Sequence, residues 1–100
     1  MYAFTLNDQN GNPVSSSDYK GKPLVIFFYP KDHTPGCTAE VCSFRDYENE
    51  FQSVGAQVIG INSGSVGEHK GFSDKYGVTY PLLSDPGHAV RKSFGAPGLL

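Results

Sequence analysis

Residues 24–29, Leu24-Val25-Ile26-Phe27-Phe28-Tyr29, form an unbroken apolar run that stops at Pro30. β-branched and aromatic side chains fill the run and a breaker closes it, so it reads as a strand buried on both faces. Such a strand belongs to a sheet covered by helices, and the residues downstream supply one. Pro30-Lys31-Asp32-His33-Thr34-Pro35-Gly36 is a loop by its breakers. Val41, Phe44, Tyr47, Phe51 and Val54 then recur at three- and four-residue steps, which predicts one helix with a single apolar face, ended by Gly55.

The pattern continues to alternate. Residues 57–62, Gln57-Val58-Ile59-Gly60-Ile61-Asn62, read as the next strand. Ser65-Val66-Gly67-Glu68 has the spacing of a capping box, in which each side chain satisfies an orphan amide at a helix start. That helix is expected to reach Tyr76, with Phe72 and Tyr76 inward and Gly77 beyond its end. Residues 80–83 read as a short strand. Asp85-Pro86 offers an N-cap and a proline at the first helical position of a short helix running to about Phe94. Upstream, residues 4–6 read as a strand, Asn10-Gly11 as a turn, and Val14 as the start of a return strand. Residues 15–22 read as a turn or one helical turn. The order is strand, strand, strand, helix, strand, helix, strand, short helix. It implies an α/β fold with a partly parallel sheet and flanking helices, formed by residues 1–100 as a single domain.

Composition limits what such a domain does. Charged residues are 18% and the formal net charge is −2, which argues against a binder of nucleic-acid phosphates. No apolar run approaches the roughly 18 residues of a membrane span, and no secretory signal is visible. Two cysteines are too few for a disulfide scaffold.

Those two, Cys37 and Cys42, are the chemically informative residues. Cys37 falls at or near the first turn of the predicted helix, where free backbone N–H groups and the helix dipole favour thiolate over thiol. Thr34 offers a hydroxyl close to the sulfur, and Pro30 and Pro35 stiffen the loop. Cys42 is five residues on. On an ideal helix that is about 7.5 Å of rise and roughly 140° of rotation, so the two Cα atoms lie ~8–9 Å apart. A disulfide needs about 4.4–6.8 Å. A shared redox cycle would therefore require the first turns of the helix to unwind. Other readings stay open on the residues alone. Both cysteines could be buried apolar fillers. A static disulfide is disfavoured by the spacing. A zinc site would need two more ligands, and His33, His69 and His88 are scattered.

The segment from Phe28 to Cys42 closely resembles the active-site segment of the peroxiredoxin Q family, also called bacterioferritin comigratory protein. Pro30, Thr34 and Cys37 carry the Pro-x-x-x-Thr-x-x-Cys signature of peroxiredoxins, and a second cysteine five residues later is characteristic of this subfamily. Asp8-Gln9-Asn10-Gly11, Gly21-Lys22-Pro23, Phe44-Arg45-Asp46 and Leu82-Leu83-Ser84-Asp85 support it. The resemblance implies a thioredoxin-like fold and thiol-dependent reduction of hydrogen peroxide and organic hydroperoxides. It implies that Cys37 is the peroxidatic cysteine, Cys42 the resolving one, Thr34 the residue that orients peroxide, and Pro30 the one that shields the site. It implies a Cys37–Cys42 disulfide, a thioredoxin-type dithiol as reductant, and no metal or organic cofactor. Family members are often monomers. The compartment is expected to be reducing, either bacterial cytoplasm or plastid.

The family's chains are longer. By resemblance, a C-terminal β-hairpin and helix and an activating arginine are absent here. Their absence would leave the strand of residues 24–29 as an open edge. Arg45 lies about 12 Å of helical rise from Cys37 and does not replace that arginine. Arg91, His69, His88, Lys31 and Lys70 read as solvated surface, His33 as an exposed loop histidine, and Phe28, Phe44, Phe51 and Phe72 as core. Glu40 favours the helix start through the dipole but opposes a thiolate at Cys37. Two alternatives remain beside the peroxidase: a catalytically weak or redox-sensing thiol module, and a non-catalytic interaction module.

Overall fold

In the computed structural model, residues 3–29, 32 and 35–94 are described, Cys37 by its backbone. The apolar run becomes strand β3 (Leu24–Phe28), and its register explains the sheet. β3 pairs in parallel with β4 (Gln57–Asn62), from Leu24 opposite Gln57 to Phe28 opposite Ile61. β4 pairs in parallel with β5 (Leu82–Ser84). Two short strands, β1 (Thr5–Asn7) and β2 (Pro13–Ser15), form an antiparallel hairpin, and β1 joins the sheet through Asn7 opposite Ser84. The order is β2-β1-β5-β4-β3, so among the described residues β3 is an edge, as expected.

Alternation along the strands makes two cores. On one face Phe27, Tyr29, Val58 and Leu82 pack with Val41 and Phe72 from the helices. On the other, Ile59, Ile61 and Leu83 pack with Phe4 and Val90, while Leu24, Ile26 and Phe28 lie against them. The expectation of a strand buried on both faces holds only in part: within β3 Phe27 alone is buried, and Leu24, Val25, Ile26 and Phe28 are half-buried, because β3 has a neighbouring strand on one side only among the described residues. Gly60, central in β4, lets Phe27 cross it: a Cβ there would stand 2.8 Å from the Phe27 ring.

The helices fall where expected, with one change. The stretch read as one helix is α1 (Pro35–Asp46) followed by α2 (Glu48–Ser53), with Tyr47 at φ −100°, ψ 8° between them. The hydrogen-bond ladder runs on through it, since Tyr47 N donates to Ser43 O and Phe51 N to Tyr47 O. Val41 is buried, and Phe44 and Phe51 pack on the core, but Tyr47 and Val54 are 59% and 74% exposed. The expected face was too wide. Each three-residue step turns back about 60° on a helix, so Tyr47 and Val54 lie roughly 120° and 140° from Val41.

α3 (Val66–Tyr76) begins with the predicted capping box, Ser65 Oγ accepting from Glu68 N, and ends at Gly77, whose φ of 65° is left-handed. Phe72 is buried and Tyr76 half-buried. The last strand starts two residues later than expected. Pro81 has no N–H, and the Gln9 side chain takes the ladder's place, donating to Tyr80 O and accepting from Leu82 N. After β5, Pro86–His88 forms a 3-10 turn before α4 (Ala89–Ser93). Asp85 caps α4 across that turn, its carboxylate accepting from Val90 N and Arg91 N, both at 3.1 Å.

Candidate active site

The C-terminal ends of β3, β4 and β5 face the same way, which is where parallel sheets place their sites. The segment leaving β3 leads directly into α1. Pro35 opens α1, where a missing N–H costs nothing, and Cys37 is its third residue. The Cys37 backbone therefore lies in the turn whose amides lack helical partners, as the spacing predicted. No acidic side chain occupies that first turn, and Glu40 one turn on is exposed. Pro30, Thr34, Lys31 and His33 lie outside the described residues.

α1 runs unbroken through both cysteines, so Cys42 is on the same helix, half-buried and a free thiol. Its surroundings are well defined. The Tyr80 hydroxyl, buried, donates to Val41 O at 2.6 Å. Burial pushes the Tyr80 phenol far above the ordinary tyrosine value, and the neighbouring Cys42 and Glu48 push it further. Arg45, one turn beyond Cys42, donates to Tyr76 O at the end of α3 and pairs with Asp46 at 2.8 Å. It is held away from the start of α1, as its position in the sequence implied.

Three surface assignments need correction. His69 is fully buried, and its Nδ1 lies 2.6 Å from the carboxylate of Asp32, itself 5% exposed. His69 is the fourth residue of α3, on the face that also carries Phe72 and Tyr76 at three- and seven-residue steps. That spacing was the available signal, and the charged neighbours Glu68 and Lys70 masked it. Arg91 is half-buried rather than a surface residue, because α4 lies against the sheet through Val90. His88, the last residue of the 3-10 turn, is half-buried too, while Lys70 is exposed and pairs with Asp74. Among the described residues no group of three His, Cys, Asp or Glu side chains could hold a metal, and no helix is long and apolar enough to cross a membrane.

The geometry defines an α/β protein with a cysteine at the start of the helix that follows the apolar strand β3. Comparison with known proteins gives the same class. The model of the AhpC/TSA family matches residues 1–99. Chloroplastic peroxiredoxin Q of Sedum lineare is 53% identical over 94 residues, covering 94% of this chain and 50% of that one. Its counterpart from Arabidopsis thaliana is 56% identical over 95 residues, covering 95% and 44%. Among solved structures, peroxidoxin BcpB from Mycobacterium tuberculosis superposes with a TM-score of 0.90 at 42% identity, covering 95% of this chain and 62% of that one. The bacterioferritin comigratory protein of Xanthomonas campestris, studied for alkyl peroxide reduction, gives 0.89 at 38%, covering 92% and 58%.

The chain belongs to the AhpC/TSA family, with the thioredoxin-like fold of its peroxiredoxin members. Its resemblance to the peroxiredoxin Q branch is borne out by these relatives. It spans about half the length of the curated relatives it matches.

Proposed function

We propose that this protein is a thiol-dependent peroxidase acting on hydrogen peroxide and organic hydroperoxides, with residues 1–100 in one thioredoxin-like domain. The observation that carries the reading is the placement of Cys37 as the third residue of a helix that also holds Cys42. Free amides at that turn stabilise a thiolate, which is the reactive form. The Cys37 thiolate attacks the terminal peroxide oxygen, the O–O bond breaks, and the leaving oxygen takes a proton and departs as water or alcohol. Cys37 becomes a sulfenic acid. Thr34 orients the peroxide and Pro30 shields the sulfur from water. The start of α1 then unwinds, Cys42 attacks the sulfenic sulfur, and water leaves as the disulfide forms. A thioredoxin-type dithiol reduces that disulfide by exchange. No metal or organic cofactor takes part. The protein acts as a monomer in a reducing compartment, bacterial cytoplasm or plastid, and the chloroplastic relatives favour the second.

A second reading has one observation in its favour. Arg45, the one cationic residue of α1, is committed to Tyr76 and Asp46, and on this reading it does not support peroxide. On that reading the thiols oxidise once, as a sensor, without turnover. The experiment is peroxide consumption with thioredoxin, its reductase and NADPH. Native chain is expected to turn over, Cys37→Ser to be inert, and Cys42→Ser to consume a single equivalent. Equal consumption by native chain and Cys37→Ser defeats the peroxidase. One equivalent consumed by the native chain favours the sensor.

A further inference from the structure

The segment from β3 to α1 holds one described residue between Tyr29 and Pro35, and that residue is anchored deep in the fold. Asp32 is 5% exposed and His69 0% exposed, and they meet at 2.6 Å. The second Asp32 oxygen faces the Asn62 side-chain amide at 3.4 Å. Asn62 ends β4 and in turn accepts from Gly64 N at 2.8 Å, while Gly64 O accepts from Ser84 Oγ at 2.6 Å. Gly64 fits because it lacks a Cβ, which would stand 3.1 Å from Asn62 Oδ1 and 3.2 Å from the His69 ring. The polar network thus ties Asp32, five residues before Cys37, to the ends of β4 and β5 and to α3.

The two ring nitrogens of His69 are not equivalent. Nε2 is buried and has no hydrogen-bond partner among the described residues. A proton there would be a buried donor with nothing to accept it. The proton therefore sits on Nδ1 and is donated to Asp32. A proton relay needs a second partner at Nε2, and none is present among the described residues. The imidazole is a one-sided donor, which suits it to holding and not to transferring.

We propose that Asp32 and His69 form a buried clasp that positions the start of α1: the Nδ1–H of His69 grips the Asp32 carboxylate, and so anchors the chain three residues before α1 opens at Pro35 and five before Cys37. His69 is a positioning residue, not a catalytic one. The clasp rests on reading Cys37 as the reactive thiol, and it deepens that reading by naming what sets the placement of the thiol.

Two amide substitutions separate the nitrogens. The side-chain nitrogen of His69→Asn falls at the Nδ1 position and keeps the donor to Asp32. That of His69→Gln falls at the Nε2 position and leaves Asp32 without its partner. The measurement is alkylation of Cys37 by iodoacetamide across pH in a Cys42→Ser background, with amide hydrogen exchange over residues 30–38. The Asn variant is expected to keep the native rate and midpoint. The Gln variant is expected to react roughly tenfold more slowly at neutral pH, with the midpoint raised by about one unit, and to exchange faster over residues 30–38. Identical profiles and exchange for the two variants, or loss of the fold in the Asn variant, overturn the clasp. Native Cys37 reacting no faster than a free cysteine defeats the peroxidase reading instead, and hydrogen exchange still decides the clasp.

Discussion

The Tyr80 hydroxyl donates to the Val41 carbonyl at 2.6 Å, so a buried side chain just ahead of β5 grips α1 one residue before Cys42. Its ring packs edge-on against Phe27, with centroids 5.9 Å apart, which fixes the hydroxyl's direction. The unwinding proposed for α1 has to release this bond. Tyr80→Phe keeps the ring and removes only the donor. We expect it to lower stability to urea by about 0.5–1.5 kcal/mol, the net worth of one such bond. We also expect faster Cys37–Cys42 disulfide formation after a peroxide pulse, because the helix opens more often. Stopped-flow measurement of the disulfide step checks this, and an unchanged rate excludes Tyr80 as a restraint on α1.

The same hydroxyl sets an alkaline limit. Burial raises the Tyr80 phenol above the ordinary value of 10.0, with Cys42 and Glu48 adding to it. Burial also raises Tyr19, helped by Asp18 and Asp8. A raised phenol means that the folded chain holds its proton where the unfolded chain has lost it. That contribution is complete below the unfolded tyrosine value and declines as pH climbs past it. Stability to denaturant is therefore expected to fall above about pH 10, and Tyr80→Phe should flatten the decline more than Tyr19→Phe. Parallel slopes for native and Tyr80→Phe chains would show that the phenol is not the group responsible.

Gly60 marks the tightest crossing in the sheet. A methyl group there meets Phe27 Cζ at 2.8 Å and Leu82 Cδ2 at 3.1 Å, both inside the core between the sheet and α1. Phe27 cannot swing away freely, because its ring is stacked on Phe44 with centroids 4.4 Å apart. Gly60→Ala is expected to cost about 1–3 kcal/mol by overpacking and to disturb α1 through Phe44. Thermal melts check the first part and the Cys42 alkylation rate the second. A melting temperature equal to native would mean that the aromatic stack yields cheaply.

What could be read from the sequence was what repeats along the chain. The run from Leu24 to Tyr29 announced the strand, though not that it would be only half-buried at most positions, and the breakers before Cys37 placed a helix start there. Local chemistry was also legible, as with Ser65 and Glu68 at the head of α3. The apolar stripe of α1 and α2 was overdrawn because a list of three- and four-residue steps hides the drift that carries Tyr47 outward. Asp32 and His69 escaped for a different reason. Each has polar neighbours, they stand 37 residues apart, and nothing in the local pattern of either reports the other. Long-range polar pairing is set by tertiary structure, which periodicity does not encode.

Oxidation gives the most direct view of the helix. α1 is continuous from Pro35 to Asp46, and cysteines five apart on a regular helix have Cα atoms ~8–9 Å apart, beyond the roughly 4.4–6.8 Å of a disulfide. Forming the bond must therefore consume helix. How far the unwinding spreads is set by what holds the later turns. Phe44 is stacked on Phe27 with planes 9° apart, and Arg45 is tied to Tyr76 O at the end of α3. Unwinding is expected to stop there. Peroxide treatment should lower far-UV ellipticity modestly and speed amide exchange over residues 37–42, while protection from Phe44 onward stays near native. Adding a dithiol should reverse both changes. An oxidised chain with the disulfide present and native exchange across residues 37–42 would refute the unwinding step, and faster exchange spreading past Arg45 would show that these two anchors do not bound it.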